Sequence, residues 1–196
     1  MNIEVSGESD MRTLGAKLGA LLRGGELIEL VGDVGAGKTT LTIALASGAF
    51  KFAGDDVALL DERGNCIPLP FAPAVKSGAW PIVAGYCPDL KSAAVFRRPD
   101  RKRVRYPVPK EFVGNSPYPV GWVLLLHRTL HADCSLEMVD PADSLRSLLS
   151  GAFARGNELT STGFCALAKI IENAVVFRLT YSRLQDAVDM IVKTCR

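Results

Sequence analysis

Gly32-Asp33-Val34-Gly35-Ala36-Gly37-Lys38-Thr39 decides the reading of this 196-residue chain. The eight residues fit the pattern G-x-x-x-x-G-K-S/T. They stand between an apolar, strand-like run, Leu27-Ile28-Glu29-Leu30-Val31, and a helical pattern that opens at Lys38. Glycines in the loop let the backbone curl with its amides turned inward at the positive end of a helix, which is what holding phosphate oxygens requires. In such a cradle Gly32, Asp33, Val34, Gly35, Ala36, Gly37, Lys38, Thr39 and Thr40 line the nucleotide. Lys38 neutralises the β and γ phosphates, and Thr39 offers its hydroxyl to Mg²⁺. A nucleoside triphosphate is the expected ligand, with ATP and Mg²⁺ as cofactors.

Outward from the loop, Lys38 to Ser47 reads as a helix with Leu41, Ala44 and Leu45 on one face and Gly48 at its C-cap. Upstream, Met11, Leu14, Leu18, Leu21 and Leu22 recur at helical spacing after Ser9 or Asp10, and Gly24-Gly25 stops the pattern. Downstream, Ala49 to Gly54 reads as a short strand that ends at Asp55-Asp56. A helix of ten residues descends about 15 Å from the loop and a five-residue strand climbs back about 16 Å, so the two aspartates are expected beside the phosphates. Val57 to Leu60 is a second extended run, Asp61 to Asn65 a hairpin turn into Cys66 to Leu69, and Pro68 to Pro119 a proline-rich irregular stretch. Strands are expected at Trp122 to Leu126, Ser135 to Val139 and Val175 to Leu179. Helices are expected at Asp143 to Leu149, Ser161 to Asn173 and Arg183 to Thr194. The pattern predicts one α/β domain over residues 1–196, a phosphate-loop NTPase-like fold with a mixed sheet and flanking helices.

Composition narrows the partners. A net charge of +2 gives no argument for nucleic acid, and the longest apolar runs fall far short of the ~20 residues that span a bilayer. No signal-like core opens the chain, so a cytoplasmic location without membrane association is expected. Five scattered cysteines without a C-x-x-C pair do not read as a disulfide framework. The densest basic stretch, Arg97 to Arg105, reads first as a solvated loop, with contact to phosphate or an acidic peptide as the alternative, and Lys76 is a similar candidate. Self-association of the chain is left open.

Two family resemblances meet near Ser47. Met1 to Ser47, through Thr13-Leu14-Gly15 and Gly32 to Leu41, resembles the TsaE-type ATPases of tRNA threonylcarbamoyladenosine biosynthesis. The Ser-Pro-Thr-Tyr and Asp-x-Tyr-Arg segments of that family do not follow. From the phosphate loop onward the chain is similar to the smaller relatives of the HPr kinase/phosphorylase catalytic domain. That likeness is carried by Gly48 to Asp61, Pro68-Leu69-Pro70, Val75 to Gly78 and Phe177 to Tyr181. It implies an HPr-kinase-like fold and Mg-ATP-dependent phosphorylation of a serine-type hydroxyl on a peptide, protein or small molecule. It also implies roles: Lys38 and Asp55 catalytic, Asp55 as general base, and Thr39 with Asp56 on the metal, although the residues themselves leave the division between Asp55 and Asp56 open. The alternatives are a TsaE-like ATPase and a non-catalytic or recombined nucleotide-binding domain joined near residue 47.

Overall fold

The computed structural model describes residues 27–33, 35–152 and 159–195. The helix expected between Asp10 and Leu22, and Val34 of the cradle, lie outside the described residues. Along the chain come β1 (Leu27–Val31), α1 (Lys38–Ala46), β2 (Leu59–Leu60), β3 (Cys66–Ile67), β4 (Val75–Lys76), a 3₁₀ turn (Ser77–Ala79) and α2 (Trp80–Val83). After a second 3₁₀ turn (Pro88–Lys91) follow β5 (Phe96–Arg97), β6 (Arg103–Arg105), β7 (Val120–Arg128) and β8 (Ser135–Met138). The chain then runs through α3 (Pro141–Gly151), α4 (Ser161–Asn173), β9 (Val175–Tyr181) and α5 (Leu184–Thr194).

β7 reads VGWVLLLHR, apolar on consecutive positions rather than alternating, which is the pattern of a strand covered on both faces. It lies in the middle of a four-stranded sheet of order β1-β7-β9-β8, where β1 and β9 run parallel to it and β8 runs antiparallel to β9. Its side chains divide by the two-residue strand period. Trp122, Leu124 and Leu126 pack with Phe177, Leu179 and Tyr181 of β9 against Leu41 and Leu45 of α1 and Ala187 and Ile191 of α5. Val123 and Leu125 turn the other way, onto Leu148 of α3 and Leu167 and Ile170 of α4. The result is an α/β domain with a mixed sheet and helices on both faces, as the sequence pattern predicts.

The stretch from Leu59 to Arg105 forms two small antiparallel sheets, β2-β3 and β4-β6-β5. Asp61 closes the turn between β2 and β3, accepting the backbone N–H groups of Arg63 and Asn65 at 2.9 and 2.8 Å. Ile43, on the back of α1, packs with Val75, Val83 and Leu90 in a third apolar cluster, which ties this region to the phosphate-loop helix.

One expected element is largely missing. Ala49 to Gly54 does not join the main sheet; only Phe52 forms a bridge, to Phe112, with Phe52 N donating to Glu111 O at 2.9 Å and Val113 N to Phe52 O at 3.0 Å. Phe52 is 1% exposed and stands edge-on to the Phe112 ring. Burial of Phe52 against the half-open Phe112 ring, rather than pairing with β1, accompanies the path of the segment. No helix among the described residues is long and apolar enough to cross a membrane.

Candidate nucleotide site

The phosphate loop leaves the C-terminal end of β1 and enters α1, so it lies at the carboxyl edge of the parallel strands, where ligands of open α/β sheets gather. Gly37 holds φ +93° and Gly35 φ +96°, both in the left-handed region that glycine enters without a steric penalty. Gly32 is tight for a different reason. A Cβ there would come within 3.1 Å of both the Leu126 carbonyl oxygen and Ala36 Cβ, so the loop is pressed onto the end of β7.

The helix behind the loop has no side-chain cap and no acidic residue in its first turn. Its first amides and the positive end of its dipole are therefore left for an anion. Lys38 Nζ donates to the carbonyl of Gly32 and, at 3.2 Å, to that of Asp33, so its ammonium is folded into the curl of the loop. Asp33 itself is exposed.

The two aspartates reach the loop, but unequally. Thr39 Oγ1 donates to Asp55 Oδ2 at 3.0 Å. Asp56 is exposed, with φ +69°, and has no such tie to Thr39. Burial raises the Asp55 carboxyl above its ordinary value; the Thr39 hydroxyl pulls it back, the Asp56 charge raises it further, and Lys38 lowers it. Asp55 thus stands beside the loop, although the five-residue return strand expected to bring it there does not form. The pairing of Thr39 with the first aspartate rather than the second depends on the backbone turn at 55–57, where Val57 N donates to Asp55 O at 2.9 Å.

Lys38, Asp55 and Asp56 line one cavity of about 540 Å³ that continues along β1 past Glu29 and Leu30 and is walled by Phe52. Glu29 is a residue that sequence reading passed over. It occupies an otherwise apolar strand, and burial pushes its carboxyl from 4.5 up to about 7 against the opposing pull of Lys38. A charged residue interrupting a strand of the type LIELV is the signal that could have marked it. Burial, helped by the Glu29 charge, also raises the nearby Cys66 thiol to about 12, which keeps it protonated and unreactive.

The basic stretch is engaged elsewhere. Arg105 donates to the carbonyls of Leu90 and Lys91 at 2.6 and 2.9 Å and stacks 4.5 Å from the Trp80 ring, with Arg103 at 5.5 Å. Arg98 and Lys102 share Asp100. Lys76 sits exposed on β4. None of these residues lines the cavity that holds Lys38 and Asp55.

The family described as threonylcarbamoyl adenosine biosynthesis protein TsaE matches residues 5–55 of the 196. The tRNA threonylcarbamoyladenosine biosynthesis protein TsaE of Streptomyces coelicolor is 58% identical over 38 residues, which is 19% of this chain and 26% of that protein. The chain therefore spans about a quarter of the length of the curated relative that it matches. No solved structure matches the chain. The HPr-kinase-type resemblance over residues 48–196 gains no support from these similarities, whereas the front of the chain, through the phosphate loop to Asp55, is TsaE-like.

Proposed function

We propose that the protein binds Mg-ATP in its phosphate loop and hydrolyses it as a TsaE-like ATPase serving tRNA threonylcarbamoyladenosine biosynthesis. The observation that carries this reading is the Thr39–Asp55 pair at the mouth of a loop whose Lys38 ammonium is already inside the curl. A hydroxyl and a carboxylate at hydrogen-bond distance are hard oxygen donors of the kind Mg²⁺ takes, so Thr39 and Asp55 fit the metal better than Thr39 and the exposed Asp56 do. When bound beside Thr39 and Asp55, the metal would offset the negative charge of the phosphates. Lys38 exchanges its loop carbonyls for phosphate oxygens, and the uncapped amides of α1 orient the phosphate chain. The match to the TsaE family supports the placement in tRNA modification.

A second reading, transfer of the γ-phosphoryl to a hydroxyl, draws on one further observation. The cavity of about 540 Å³ opens beside Asp55 and is of a size for a small molecule or part of a peptide. A carboxyl raised by burial there could take the hydroxyl proton.

The deciding experiment titrates Mg-ATP into wild-type protein and Lys38→Ala, then follows γ-labelled ATP. Saturable binding that weakens at least about tenfold in the variant is expected, since an ammonium-to-phosphate contact is worth on the order of 1.5–3 kcal/mol. Label released as inorganic phosphate supports the ATPase, and label retained on a peptide or small hydroxyl compound moves the assignment to a kinase. Folded wild-type protein that binds no Mg-ATP ends both readings.

A further inference from the structure

The phosphate loop is held by a residue of β9, an interior strand of the main sheet. Tyr181 ends β9, two strands away from β1, and its side chain is 2% exposed. Its phenol donates to the carbonyl oxygen of Ala36 at 2.7 Å. Its own backbone is fixed too, because Thr129 N donates to Tyr181 O at 3.0 Å. A Cβ on Gly37 would lie 2.8 Å from the phenol oxygen, so the ring tip and the loop backbone are in direct contact at the residue before Lys38.

The Ala36 carbonyl and the Gly37 N–H belong to one planar trans peptide, in which C=O and N–H point in opposite directions. A hydroxyl that holds the carbonyl on the β9 side therefore turns the Gly37 N–H to the opposite side. The φ of +93° at Gly37 then carries the chain into the first turn of α1, where Leu41 N bonds to Gly37 O at 2.9 Å. Without the phenol, the 36–37 peptide is free to rotate, because glycine accepts either orientation.

We propose that Tyr181 is a positioning residue of the nucleotide site: its hydroxyl fixes the Ala36–Gly37 peptide so that the Gly37 N–H faces the phosphate chain. This rests on the phosphate-loop reading for its consequence in binding, but the orientation of the peptide can be measured without nucleotide. Burial also raises the phenol above its ordinary value, partly countered by Arg128, so the hydroxyl remains a donor at neutral pH.

Tyr181→Phe keeps the ring in the core and removes only the donor. Three measurements on the full chain test it: the Ala36 Hα to Gly37 N–H nuclear Overhauser effect in nucleotide-free protein, which reports the orientation of that peptide, Mg-ATP affinity by calorimetry, and global stability in urea. A changed Overhauser effect at Gly37, together with an ATP dissociation constant raised about five- to tenfold and unfolding that stays cooperative, is the expected result. A role limited to core packing, which Phe preserves, would leave the Gly37 signal and ATP affinity at wild-type values, and that outcome overturns the proposal. So does a changed signal with unchanged affinity. If wild-type protein binds no ATP, the nucleotide reading fails, and the Overhauser effect at Gly37 alone decides whether Tyr181 orients the peptide.

Discussion

Glu29 carries a chemistry that its place in an apolar strand does not announce. Its carboxyl is neutral in the folded protein below about pH 7, but in the unfolded chain it ionises near its ordinary 4.5. The unfolded state therefore holds fewer protons across that interval, and stability falls as pH rises from about 4.5 to 7. Full ionisation costs at most about 3 kcal/mol, less for the part of the carboxyl that reaches solvent. Glu29→Gln should flatten this slope and leave the protein more stable than wild type above pH 7, as read from urea midpoints at pH 5 and pH 8. Equal pH slopes in the two proteins would show that Glu29 is well solvated. For its neighbour in the cavity, Asp55, a return toward the loop was legible from the sequence, but not the path, since the strand expected at Ala49 to Gly54 does not form. Its bond to Thr39 was not legible, since adjacent aspartates carry no sequence mark of which one points inward.

At the level of elements, α4 shows the clearest agreement between local chemistry and observed boundary. Thr160 sits in extended geometry and accepts the Gly163 N–H at 3.1 Å, so the helix starts where its cap does. Thr160→Ala should lower stability by about 1 kcal/mol with no change in ATP affinity, since α4 packs on the face of the sheet opposite α1. A change in affinity would mean that the two helical layers are coupled. α1 shows the reverse arrangement: it has no side-chain cap, which leaves its N-terminal amides open to an anion. The segment Ala49 to Gly54 illustrates where local reading fails. Its composition suits a strand, but pairing is a property of two chains of backbone, and Phe52 finds its partner at Phe112, sixty residues away.

At the scale of the whole molecule, β7 is buried without a break from Val120 to Leu126. Leu124 is 0% exposed, at the centre of the layer shared by α1 and α5. Leu124→Ala should cost about 2–5 kcal/mol, a large part of the roughly 5–15 kcal/mol that a domain of this kind holds. The urea midpoint is expected to fall accordingly, with ATP binding lost only through unfolding. A loss below about 1 kcal/mol would show that the core around β7 relaxes around the deletion.

Local sequence is enough for the phosphate loop, the α/β class and the helices after residue 140. Each of these is written in local periodicity or glycine placement, quantities that a linear chain carries with it. Tertiary packing is needed to see that Asp55 rather than Asp56 meets Thr39, that Glu29 borders the same cavity, that Arg105 is occupied by the carbonyls of Leu90 and Lys91, and that Tyr181 reaches Ala36 across 145 residues. Those contacts arise because strands distant in sequence are neighbours in the sheet, and their side-chain directions follow from register and burial, which no stretch of sequence specifies alone.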